Sequence, residues 1–150
     1  MKSIAIIFLM TLFISVCNAQ CNSELKKYTT GFDSLISNSF SFLDNELDDV
    51  KIVGYGEDTH GNAEFTILTE ELMKYLNSKH GFNILIIENG FGEVAYFNDY
   101  IQGKRDDLKS ILKKYNSTWR YETVAFYHLL NWLRDYNQKI RIKFICMVAK

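Results

Sequence analysis

The sequence has no proline, only three cysteines, and a formal charge that almost cancels at -1. Each scarcity removes something. Without proline, punctuation has to be read from Gly, Asn and changes of hydrophobic period. Cys17 falls in a leading apolar run, so the body of the chain keeps Cys21 and Cys146, too few for a disulfide framework. No Cys/His cluster has zinc spacing. The balanced charge gives no basic stripe and no acidic tail, which sets nucleic acid aside as a partner. Internal repeats and low-complexity stretches are missing too, and 47% hydrophobic with 23% charged residues is the composition of an ordinary globular chain.

The N-terminus is where composition departs from that average. Lys2 is followed by an apolar run over residues 4–16 and then by Cys17, Asn18 and Ala19, small residues of the kind found at a cleavage site. This is the pattern of a cleaved secretory signal over residues 1–19, and it predicts a secreted or periplasmic protein with no membrane attachment afterwards. The run is shorter than the roughly 20 residues a membrane span requires. Val16 and Gln20, not small residues, precede the two cysteines that a lipid anchor would use. About 130 residues remain, enough for one small domain.

Residues 20–50 read as a helical lead-in, with Phe32, Leu35, Ile36, Phe40, Leu43 and Leu47 at roughly helical spacing. Residues 51–55 form a short β-branched run closed by Gly56. Residues 62–79 carry Phe65, Leu68, Leu72, Met73 and Leu76 at helical spacing, with His80 and Gly81 as the stop. Residues 82–87 have the length of a buried strand and end in Glu88, Asn89 and Gly90. Helices are expected over 92–101, 106–115 and 121–136, and a third strand over 140–146. The fold class is therefore α/β, a parallel sheet core with crossover helices. A strand, helix and strand joined this way place 51–55 and 82–87 as parallel neighbours whose ends share one edge.

At that edge three titratable groups converge. Gly54-Tyr55-Gly56-Glu57-Asp58-Thr59-His60-Gly61 closes the first strand and Glu88 closes the second. Two carboxylates flanking a histidine are the parts of a general-base device, and the glycines let a substrate approach the backbone closely. On the residues alone, a capping or turn role is an equal reading. Metal ligation by Glu57, His60 and Glu88 is the weaker one, because the helical HExxH signature is missing. His80 reads as a helix-end cation, and His128 falls on the polar side of its helix, opposite Phe126, Leu129, Leu130 and Leu133. Asn116-Ser117-Thr118 matches a glycosylation sequon, with a helix-start cap as the simpler role.

The stretch from Ile52 to Gly61, followed by Glu64 and Phe65, resembles the Gly-Glu-x-x-His-Gly-x-x-Glu-Phe opening of the erythromycin esterase family. The resemblance continues through Gly81-Phe82, Glu88, Asn98 to Gly103, Thr118-Trp119 and Trp132 to Asn137. It identifies residues 51–150 as the N-terminal part of such a domain, and the sequence after Phe144 as that of a shortened or frameshifted copy. The resemblance implies water attack on a carboxylic ester, in known members a macrolide lactone, with no cofactor or metal required. It assigns His60 as general base, Glu57 and Glu88 as carboxylates that orient it and line the pocket, and Glu64 and Trp119 as substrate contacts. Thr69 stands where members active on macrolides often carry arginine. Two further expectations follow: little or no esterase activity in a chain of this length, and self-association through an exposed sheet edge. The alternative is a noncatalytic binding or envelope-polysaccharide accessory protein of the same fold.

Overall fold

The structure, a computed structural model, describes residues 31, 37–115, 121–140 and 145–148. The signal-like segment, the sequon and Trp119 lie outside the described residues. Within them the chain folds around two apolar clusters, one large and one small.

A 3-10 helix over Ser37–Leu43 leads into a turn-rich stretch, and helix α1 follows at Ala63–His80. Its start and stop are written in the sequence. Asn62, extended at φ -82°, accepts the Glu64 backbone N–H on its side chain, and Gly81 closes the other end at φ 74°. There the Gly81 N–H bonds to Asn77 O and the Phe82 N–H to Leu76 O, a left-handed cap that favours glycine. Strand β1, Ile84–Ile87, runs directly on from this cap. Helices α2 (Phe91–Ile101), α3 (Leu108–Tyr115) and α4 (Val124–Lys139) come next, the last capped by Thr123 Oγ1, which accepts the Phe126 N–H at 3.1 Å. Strand β2, Ile145–Val148, completes the order.

β1 and β2 pair in parallel, Ile84 against Ile145 through Ile87 against Val148. A parallel pair needs a crossover, and here α2, α3 and α4 supply it. α4 packs on both α1 and α2, and β2 runs beside α2. The large cluster forms where they meet. Phe97, Ile111, Phe126, Leu129, Leu130 and Leu133 are sealed inside it, with the Phe97 and Phe126 rings edge to face at 5.4 Å. α4 thus buries the face that its spacing predicts and leaves His128 exposed. The small cluster joins Phe40 and Leu47 to Tyr75 and Leu76 on α1, with Val50 and Val53 packed against it.

Two motif stretches, residues 98–103 and 132–137, turn out to hold each other. Buried Asn137 donates through Nδ2 to Ile101 O at 3.0 Å, and Tyr100 Oη donates to Asn131 Oδ1 at 2.7 Å. The Arg134 guanidinium lies 4.5 Å over the Tyr100 ring and bonds Arg105 O and the Asp106 carboxylate. These residues fasten the turn after α2 to α4, so their work is architectural.

The first expected strand is corrected. Residues 52–57 run as irregular chain, and the parallel partner of β1 is β2. The reason lies in where the apolar side chains go. Val50 and Val53 are drawn to the small cluster, while Ile52 stays 83% exposed, so nothing presses this segment onto the edge of β1. Of the expected lead-in over 20–50, a 3-10 helix is found at Ser37–Leu43 and residues 20–30 and 32–36 lie outside the described residues, while the elements from residue 62 onward match in kind, with shifted ends. The helices foreseen at 92–101, 106–115 and 121–136 are found at 91–101, 108–115 and 124–139, and the strand foreseen at 140–146 is found at 145–148.

Candidate active site

β1 alternates. Leu85 and Ile87 enter the large core, while Ile84 and Ile86 on the other face are 47% and 52% exposed. That second face forms one wall of a cleft of about 780 Å³. The opposite wall comes from the 50–57 segment and from Phe65, Thr66, Thr69, Leu72 and Met73 of α1. Glu57, His60 and Glu88 all line it, so the residues singled out in the two segment ends share one cavity although the segments are not paired strands.

Glu57 and His60 are in direct contact. The Glu57 Oε1 carboxylate oxygen meets His60 Nδ1, across the turn that Gly61 closes at φ 77°. A carboxylate at Nδ1 selects the tautomer carrying its proton there, which puts the ring's lone pair on Nε2. Side-chain exposures of 32% for Glu57 and 43% for His60 mean that solvent reaches both.

Glu88 sits at the exit of β1, exposed, in the turn before α2. Its backbone carbonyl accepts a hydrogen bond from Tyr121 Oη at 3.1 Å, and the Tyr121 ring packs on Phe126 at 4.6 Å. Tyr121 therefore ties the Glu88 turn to the main core, and it lines the cleft as well. In the sequence nothing marked it, because the contact spans 33 residues.

Tyr55 was also missed, although glycines on both sides of it were a usable signal. It lines the cleft, donates from Oη to Phe65 O at 3.3 Å, and has its ring 6.5 Å from that of Phe65. Burial, and then the negative charge of Glu57, hold its phenol above the ordinary tyrosine range. Thr69 donates from Oγ1 to the same Phe65 carbonyl at 2.8 Å.

Glu64 is elsewhere. It is exposed in the first turn of α1, where its charge complements the helix dipole, and it is not among the residues that line the cleft. His80 ends α1 with its ring edge-on to Tyr75 at 5.6 Å. Among the described residues no cluster of three His, Cys, Asp or Glu side chains could hold a metal ion. No described helix is long and apolar enough to cross a membrane.

The erythromycin esterase family model matches residues 78–147, a stretch that takes in Glu88, β1, the crossover helices and all but the last residue of β2. Over that stretch the chain is similar to part of an erythromycin esterase domain. It is 29% identical over 106 residues to erythromycin esterase type II of Escherichia coli, covering 69% of this chain and 24% of that protein. To erythromycin esterase type I of Escherichia coli it is 26% identical over 99 residues, covering 66% and 23%. A crystal structure of a Bacillus cereus protein superimposes with a TM-score of 0.71 at 26% identity, covering 87% of this chain and 32% of that one. The chain spans about a quarter of the length of the curated erythromycin esterases it matches.

Proposed function

We propose that the chain is an ester-hydrolysing module of the erythromycin esterase type. His60 Nε2 takes a proton from a water molecule as that water attacks the ester carbonyl carbon. Glu57 holds the imidazole through Nδ1 and offsets the positive charge that forms on it. Glu88 lines the far side of the cleft, at the end of β1. The observation that carries the reading is the Glu57–His60 pair in a cleft that Glu88 also lines.

Substrate size follows from the cleft. A volume of about 780 Å³ with an aliphatic wall of Ile84 and Ile86 suits a bulky, largely apolar ester, and a macrolide lactone is the member of that class that the relatives' names suggest. The reaction needs no cofactor. Turnover is slow, because a half-exposed histidine in an open cleft works against bulk water and not in a dry, preorganised pocket.

The experiment is hydrolysis of p-nitrophenyl butyrate, and of erythromycin followed by mass spectrometry, by the purified chain and its His60→Ala variant. Slow hydrolysis that disappears in the variant is expected. Equal rates for the two proteins would end the proposal.

Location is part of the same reading: residues 1–19 are removed on export and the remainder works outside the cytoplasm. N-terminal sequencing after expression in a bacterial host should begin at Gln20.

A further inference from the structure

Base and acids do not complete an ester hydrolase. As water adds, the carbonyl oxygen gains a full negative charge, and a donor aimed at it contributes more to the rate than most other groups do. The Glu57 and Glu88 carboxylates repel that oxygen. Between Ile52 and His60, the residues lining the cleft include one hydroxyl, that of Tyr55.

Its present hydrogen bond is easily given up. Phe65 lies in the first turn of α1, so the helix ladder directs the Thr69 N–H to its carbonyl, and Thr69 Oγ1 adds a second donor at 2.8 Å. A carbonyl oxygen has two lone pairs. Tyr55 is a third and longer contact at 3.3 Å, and releasing it leaves the carbonyl satisfied. Two glycines flank Tyr55, and a Cβ at either would meet nothing within 4 Å, so the backbone there is uncrowded.

Building on the hydrolytic reading, we propose that Tyr55 Oη leaves Phe65 O and donates its hydrogen bond to the ester carbonyl oxygen and to the oxyanion formed from it. The water oxygen bonds to the carbonyl carbon, the carbonyl electron pair moves onto the oxygen facing Tyr55, and His60 Nε2 takes one water proton. Collapse of the tetrahedral species expels the alkoxide, which takes that proton back, giving an acid and an alcohol. Tyr55 keeps its own proton throughout. Burial and the Glu57 charge favour this, since both resist ionisation of the phenol.

The test compares the full chain with Tyr55→Phe and His60→Ala in two assays: p-nitrophenyl butyrate hydrolysis, and binding of p-nitrophenyl methylphosphonate, whose tetrahedral anion mimics the oxyanion. Phenylalanine keeps the ring contact with Phe65, and a melting curve confirms that the variant folds. Tyr55→Phe should lower kcat about 10²- to 10³-fold with KM changed far less, and weaken phosphonate binding at least about tenfold. Wild-type phosphonate affinity in Tyr55→Phe overturns the role of Tyr55, whether or not turnover is measurable. If that happens while His60→Ala still abolishes hydrolysis, the hydrolytic reading survives alone. Hydrolysis unaffected by His60→Ala, or a chain that neither turns over the ester nor binds the phosphonate, overturns both.

Discussion

Phe97, Ile111, Phe126, Leu130 and Leu133 are closed off from water, whereas every residue from 54 to 64 is exposed. The two regions are contiguous in one small molecule and built on different terms. The helical block is held by interdigitated side chains and by Asn137, Tyr100 and Arg134 bridging two helices. The loop is held by the Glu57–His60 contact, the Gly61 turn, the Asn62 cap and the contacts of Tyr55 with Phe65. On the proposed function, stability and chemistry sit in separate places, so substitutions should divide into those that unfold the molecule and those that silence it.

The largest effect expected from this division is on the helical side. Phe97→Ala removes a fully buried ring from the centre of the large cluster and should cost about 3–5 kcal/mol, read as a fall in the urea midpoint. For a domain this small that is much of its total stability. On the loop side, His60→Ala should lower ester hydrolysis roughly a hundredfold or more, about 3 kcal/mol in barrier, while changing the stability obtained from urea unfolding by no more than about 0.5 kcal/mol. A large stability loss there would break the comparison. Asn137→Ala should cost about 1–3 kcal/mol by stranding the Ile101 carbonyl, with hydrolysis unchanged in the folded fraction.

The smallest effect concerns alkali and the small cluster beneath the loop. Burial, and then the Asp44 carboxylate to which it donates at 2.6 Å, push the Tyr75 phenol up to about 12. In the unfolded chain it ionises near about 10. The folded state thus binds the proton more tightly, its contribution is intact below about pH 10, and stability falls as pH rises from there toward 12. Urea midpoints across that range should decline in the native chain and decline less in Tyr75→Phe.

How much of this was legible in the sequence depended on the range of the forces involved. α1 could be read nearly to the residue, because Asn62, Gly81 and the apolar period are local signals. α4 showed its buried face for the same reason. The segment 51–55 misled because β-branching states a preference for pairing and not the presence of a partner, and its Val53, with Val50 just before it, packs on the small cluster instead. The site divided similarly. Glu57, His60 and Gly61 lie within five residues and could be seen, and Glu88 could be placed at a strand exit. Tyr121 acts from 33 residues away, and Glu64 was given a substrate contact where the fold uses it to start a helix.

The parallel pairing of β1 with β2 has a bearing on how the molecule comes into being. Ile84 waits for a strand that begins roughly sixty positions later, so the helices between them, whose hydrogen bonds are all local, can form well before the ladder closes. On a ribosome, Leu85 and Ile87 would emerge long before their mates, with the growing helices as their only shelter. Ring closure of that long span, not helix growth, should set the pace of refolding.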